Sequence, residues 1–158
     1  MFQFVLFLHI LAVVFAFGPN AALAVIGAKA GTEPQHSNFA LRLNEFVETR
    51  IVIPLALVVL VTGLLLVWLG GIGLLHGWLL LALLLYFAAL GVATGVMLPN
   101  TRKMIRASEM MLARGPGAAG AGPPPEVARS VRILQIGGIY LLASIVVILF
   151  LMVERPGG

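Results

Sequence analysis

The sequence predicts an all-α, polytopic membrane protein: a four-transmembrane-helix bundle with short amphipathic cytoplasmic helices. Three observations carry this. Apolar residues fill 61% of the 158 positions and charged residues only 10%, with a mean hydropathy of +1.09. An ordinary soluble domain is about half apolar and about a quarter charged, so this chain has too little polar material to face water. No Asp, Glu, Lys or Arg occurs between Ile51 and Thr101. The other apolar runs reach the length of about 20 residues that a hydrocarbon layer of about 30 Å asks of a helix. Strands with open edges would leave backbone groups unpaired in lipid, so the spans are helical.

The first span covers residues 2–28 and is interrupted by Gly18-Pro19-Asn20. A proline inside a helix removes one hydrogen bond and crowds the preceding turn, so Pro19 is expected to kink this helix or end its buried part. Residues 51–101 are too many for one span. Gly70-Gly71-Ile72-Gly73 and His76-Gly77 divide them into spans 51–69 and 77–98. Pro54 then falls in the first turn of the second span, where a missing N–H costs least. Trp68 and Trp78 flank the glycine-rich turn, where an interfacial aromatic belt would put them. The last span is 131–153, ending at Glu154-Arg155-Pro156. Residues 115–125, Gly-Pro-Gly-Ala-Ala-Gly-Ala-Gly-Pro-Pro-Pro, read as a flexible linker with a stiffer proline end. The whole of 1–158 reads as one membrane domain.

Nine of the ten basic residues sit in the two long loops and their flanks: Lys29, Arg42, Arg50, Arg102, Lys103, Arg106, Arg114, Arg129 and Arg132. Only Arg155 lies on the other side. By the positive-inside rule both loops are cytoplasmic and both termini extracytoplasmic. The net charge of +4 is therefore topogenic, pointing to anionic lipid headgroups and not to nucleic acid. Ala22-Leu23-Ala24 resembles a signal-peptidase site. No basic residue precedes the apolar run, however, and cleavage would export nine basic residues, so cleavage is not expected.

Each loop holds an amphipathic stretch. Phe39, Leu43, Phe46 and Val47 share one face, with Arg42, Glu45 and Glu48 elsewhere; Met104, Ile105, Ala107, Met111 and Leu112 lie opposite Arg102, Arg106 and Glu109. Such helices lie on the membrane surface or continue a span beyond it. The methionines read as packing groups rather than soft-metal ligands.

The absence of cysteine excludes disulfides, thiolate metal sites, iron–sulfur clusters and cysteine nucleophiles. With no charge inside a span, a pump, a proton-coupled carrier and a paired-carboxylate acid/base site are disfavoured. Both halves follow the plan span, loop, span, and Pro19-Asn20 matches Pro99-Asn100. That parallel repeat is the sole support for a small-solute carrier.

The chemistry left in the membrane is His9, Asn20, Thr62, Tyr86, Thr94, Gln135, Tyr140 and Ser144. At about 100° per residue His9, Ala12, Ala16 and Asn20 form one face of the first helix, which is expected to look into the bundle. Ala88, Gly91 and Gly95 make a small-residue face on the third, and Gly137, Tyr140 and Ser144 on the fourth. These are expected to pack helices and share interhelical hydrogen bonds. His9, about two turns inside a span, should be neutral and face protein, bonding a backbone carbonyl or Tyr140. His76 sits roughly 10 Å shallower at about 1.5 Å per residue, so the two do not make a bis-histidine haem site.

Phe7-Leu8-His9-Ile10-Leu11-Ala12-Val13-Val14-Phe15 resembles the Leu-His first helix of a bacterial family of predicted integral membrane proteins of unknown function. Pro54 through Thr62-Gly63, Pro99, and Leu151-Met152-Val153 with Arg155-Pro156-Gly157 resemble it too, nearly along the whole chain. The Leu-His opening is also similar to the copper-resistance D family and the haem-type bacterial protoporphyrinogen oxidases; the latter similarity implies haem b at His9. The resemblance implies a bacterial inner membrane. The expected role is accessory or structural, as a subunit of a larger membrane complex or by self-association, without enzyme activity or cofactor. The alternative is a haem-binding oxidoreductase using His9, and the third is the carrier.

Overall fold

The computed structural model describes residues 1–113 and 125–156. The described residues are helical apart from short turns: α1 (Phe2–Thr32), α2 (Pro34–Val47), α3 (Ile53–Leu69), α4 (Gly77–Val92), α5 (Leu98–Ala113) and α6 (Pro125–Glu154). Residues 115–124 of the expected linker lie outside the described residues, and Pro125 itself opens α6. Four helices are long and apolar enough to cross a membrane: Phe2–Ala30, Gln35–Leu69, Gly77–Met111 and Glu126–Glu154. They pair as two antiparallel hairpins, α1 against α2–α3 and α4–α5 against α6.

The two inner helices run through without a break. A wide, π-helical turn, Glu48–Val52, joins α2 to α3, and a second, Ala93–Met97, joins α4 to α5. Each closes with a bond spanning five residues, from the Ile53 N–H to the Glu48 carbonyl and from the Leu98 N–H to the Ala93 carbonyl. Pro54 and Pro99 follow immediately. A proline ring has no N–H and collides with the carbonyl four residues back; one extra residue in the turn moves that carbonyl aside. Pro54 is thus inside a 35-residue helix and not at its start. Of the two arrangements expected for the amphipathic stretches, continuation of a span is the one found. Pro19, by contrast, does not end α1.

The α1–α2 turn takes a single residue. Glu33, preceding Pro34, has φ −129° and ψ 80°, the extended region that a following proline enforces. The freed Ala30 carbonyl accepts the Glu33 N–H and the Ser37 hydroxyl. At the other end, α3 stops in a Schellman turn. Gly71 takes φ +64°, the Ile72 N–H reaches the Val67 carbonyl and the Gly71 N–H reaches the Trp68 carbonyl.

Two apolar clusters hold the spans together. Ala12 and Ala16 on α1 meet Val59 on α3, with Phe17, Leu55 and Tyr86 around them. Val67, Trp78, Leu79, Ala82 and Leu151 join α3, α4 and α6. Both tryptophans flank the turn, but Trp78 is 6% exposed inside this cluster, with the Arg155 guanidinium 6.0 Å from its ring centre, whereas Trp68 is 74% exposed. The outward faces are apolar, as on α6 with Ile139, Leu142, Val146, Phe150 and Val153. This is the inside-out burial of a lipid-embedded protein.

Gly137 on α6 faces the second wide turn so closely that a Cβ there would lie 2.9 Å from the Met97 sulfur, while one at Gly138 would touch nothing within 4 Å. Gly137→Leu should therefore destabilise the bundle by about 1–3 kcal/mol, the usual cost of overpacking. Gly138→Leu should be near neutral. Thermal melts of the two variants in detergent check this; equal losses would show that α6 does not pack there.

Candidate functional site

The polar interior begins with Thr62 on α3. Its hydroxyl lies 2.7 Å from the Val58 carbonyl and 3.2 Å from that of Val59, so it donates back to its own helix. The His9 Nδ1 approaches the same oxygen at 2.9 Å. With its one proton turned to its own helix, Oγ1 is set to accept from a His9 ring that carries its proton on Nδ1. Close approach makes the contact: a Cβ on Gly63 would stand 3.2 Å from the His9 Cε1. Of the two partners expected, a backbone carbonyl or Tyr140, the Val59 backbone is within reach of the ring, whereas Tyr140 is half-buried and not bonded to it. Sequence reading missed Thr62 as the partner; the small residue beside it was the available signal. His76 is apart from all this, exposed in the turn with Nδ1 2.6 Å from the Gly73 carbonyl.

The other expected residues fall differently. Tyr86 crosses from α4 to α3, donating to the Ala56 carbonyl at 2.6 Å, with its ring edge-on to Phe87. Ser144 is buried and donates to the Tyr140 carbonyl, while Asn20 is half-buried on the inward face of α1. Gln135 is exposed. Gly91 and Gly95 are exposed, with nothing within 4 Å of where a Cβ would stand. Among the described residues their expected packing role is not realised, because α4 presents α6 and α3 with Leu79, Ala82 and Tyr86 instead.

A second polar region lies at the loop end, where α2 and α5 run antiparallel. Asn38 donates to Ser108 at 2.7 Å, the Arg102 Nε to Glu45 at 2.6 Å, and Arg42 pairs with Glu109. The charges that sequence patterning placed away from the apolar faces are turned toward each other. Phe39 and Phe46 are left exposed. Arg42, Glu45, Phe46, Thr49 and Ile105 line a shallow groove between these helices. Nearby, two buried polar residues had no sequence signal as site residues, Glu48 and Thr101. Among the described residues no cluster of three His, Cys, Asp or Glu could hold a metal ion.

Residues 3–156 match the family described as predicted integral membrane protein (DUF2269). No curated protein and no solved structure matches.

The His9–Thr62 bond should appear as a coupling of about 0.6 kcal/mol, and no more than about 2, in a double-mutant cycle of His9→Ala and Thr62→Val. Nitrogen NMR should find the His9 proton on Nδ1, and Thr62→Val should release that preference. Additive single-mutant effects on the melting free energy would remove the bond from the account.

Proposed function

The chain belongs to the DUF2269 family of predicted integral membrane proteins, and from that premise we propose that it is an accessory or structural subunit, not an enzyme. One observation carries this: four hydroxyls of the spans are committed to helix carbonyls. Thr62 donates to Val58, Thr94 to Leu90, Ser144 to Tyr140 and Tyr86 to Ala56. Such groups set helix register and leave little for substrate. The finer reading places the chain in a bacterial inner membrane as one membrane domain, with α2, α5 and the start of α6 in the cytoplasm and both termini outside. It rests on the nine-to-one distribution of basic residues. Arg50, Lys103, Arg106, Arg129 and Arg132 are exposed at that loop end, which favours anionic headgroups as its partners.

One observation favours a second reading, the haem-binding oxidoreductase. Thr62 holds the His9 ring through Nδ1, as partners that orient metal-bound histidines do. His9 would hold the haem, which would supply electron transfer, and His76, engaged with Gly73 in the turn, would take no part.

The purified protein separates these readings. The structural one expects no Soret band, together with bound anionic lipid that is lost when Lys103, Arg106 and Arg129 are changed to Gln. A haem present in the wild type and absent from His9→Ala would establish the second.

For orientation, single cysteines at Gly73 and Gln35 in this cysteine-free chain should differ toward an impermeant thiol reagent in intact cells. Gly73 should label and Gln35 should not. The reverse pattern would invert the topology.

A further inference from the structure

We propose that the bundle bends at one level. A hinge crosses all four spans near the loop-end edge of the hydrocarbon layer. The arm beyond it (α2, α5, the end of α1 and the start of α6) tilts as a unit against the membrane-embedded part.

Helices bend at prolines, at glycine or serine pairs and at wide turns, because each interrupts the regular ladder or frees the backbone. Proline, glycine pair and wide turn all occur here, and tertiary contacts set them side by side. α3 is 17 residues long and α4 16, so the two wide turns start at the same height, about 25 Å from the glycine turn at about 1.5 Å per residue. A hydrocarbon layer of about 30 Å ends close by. On α1, His9 bonds Thr62, and Ala12 and Ala16 meet Val59. The same antiparallel register, carried along the pair, sets Gly18-Pro19 at the height of Val52 and Ile53, and α1 packs on Glu48–Val52. Pro19 has no N–H to give the carbonyl four residues back. On α6, Gly137 packs on Met97 of the second wide turn, and Gly138 follows with open space where a Cβ would stand. Each outer helix thus has its weak point where the inner helix of its hairpin has its wide turn.

The bracing divides at that level. In the arm, Ser37 of α2 bonds Ala30 of α1, and Ser130 of α6 bonds Asn100 of α5. Between them Asn38, Arg42 and Glu45 of α2 pair with Ser108, Glu109 and Arg102 of α5. In the membrane part, the His9–Thr62 and Tyr86–Ala56 bonds and the two apolar clusters join α1, α3, α4 and α6. Among the described residues no side-chain hydrogen bond between helices runs from one block to the other. At the level itself the Met97 side chain, unbranched and adaptable, lies against a glycine. Two braced blocks joined by four interrupted backbones have the construction of a hinge. A tilt moves the exposed Phe39, Phe46, Lys103 and Arg106 relative to the bilayer surface and leaves the His9–Thr62 contact as it is.

Pulsed electron-spin distance measurements on the full chain in lipid nanodiscs test this, with nitroxide pairs introduced into the cysteine-free protein. Phe4→Cys with Leu84→Cys lies within the membrane part, and Gln35→Cys with Ala128→Cys within the arm. Phe4→Cys with Ala128→Cys, and Leu84→Cys with Gln35→Cys, cross the level; all these positions are exposed. Pairs within a block should give narrow distance distributions, and pairs across the level broader ones. Pro19→Ala with Gly138→Ala restores a backbone donor and removes the freedom of a glycine at the level. It should narrow the pairs that cross and leave the others alone. Gly27→Ala with Gly77→Ala, at glycines away from the level that also have open space around a Cβ, should change neither. Equal widths within and across the blocks would overturn the proposal, and so would an arm pair as broad as those that cross. An unchanged width in Pro19→Ala with Gly138→Ala, or an equal narrowing by Gly27→Ala with Gly77→Ala, would remove the hinge from this level. If Pro19→Ala with Gly138→Ala does not fold, the wild-type widths decide alone.

Discussion

A backbone N–H or carbonyl left unpaired in hydrocarbon has no water to turn to, and each costs several kcal/mol. Both inner helices carry a proline where that constraint bites, Pro54 and Pro99, each two residues beyond a wide turn. Pro in a helix interior costs about 3 kcal/mol or more when the turn cannot adapt. The wide turns localise the disturbance to five residues and let the helix resume. As a result α3 continues backward into α2, and α4 forward into α5. The paired arm at the loop end exists because neither proline stopped its helix.

The magnitudes separate what specifies the arm from what stabilises it. Arg42 and Glu109 are both substantially exposed, and exposed ion pairs contribute about 0.2–1 kcal/mol. The Glu45–Arg102 and Asn38–Ser108 contacts fix how α2 slides along α5, which is a matter of register. Stability comes mainly from small residues that admit a neighbouring helix. Ala12 and Ala16 let α3 approach α1, and Gly137 admits Met97. In lipid, packing of this kind replaces the hydrophobic drive that water would supply.

His9 and Glu48 show how differently one bundle treats two titratable groups. His9 is placed by a donor–acceptor chain that ends on its neighbour's helix, so its tautomer is decided by Thr62. Glu48 is buried without such a chain, three residues beyond the Glu45 that pairs with Arg102. The first is a register-setting contact. The second is a buried carboxyl at the loop end of the bundle, where α1 packs against the first wide turn.

Hydropathy and charge alone determined four apolar helices, a glycine turn near residue 71, and basic residues gathered at one end. These depend on summed transfer energies and local backbone preferences, which a single strand of sequence carries. The inward placement of His9, Ala12 and Ala16 was legible for the same reason, as a 100° periodicity. Only the tertiary structure decided that Thr62 and not Tyr140 meets His9, that Trp78 is core, and that Gly91 and Gly95 face outward. Each depends on which helix lies beside which, and periodicity cannot say that. The wide turns and the burial of Glu48 and Thr101 belong to the same class. An amphipathic pattern shows that a helix has two faces, whereas the choice of neighbour for each face is made by the packing of α2 on α5 and α1.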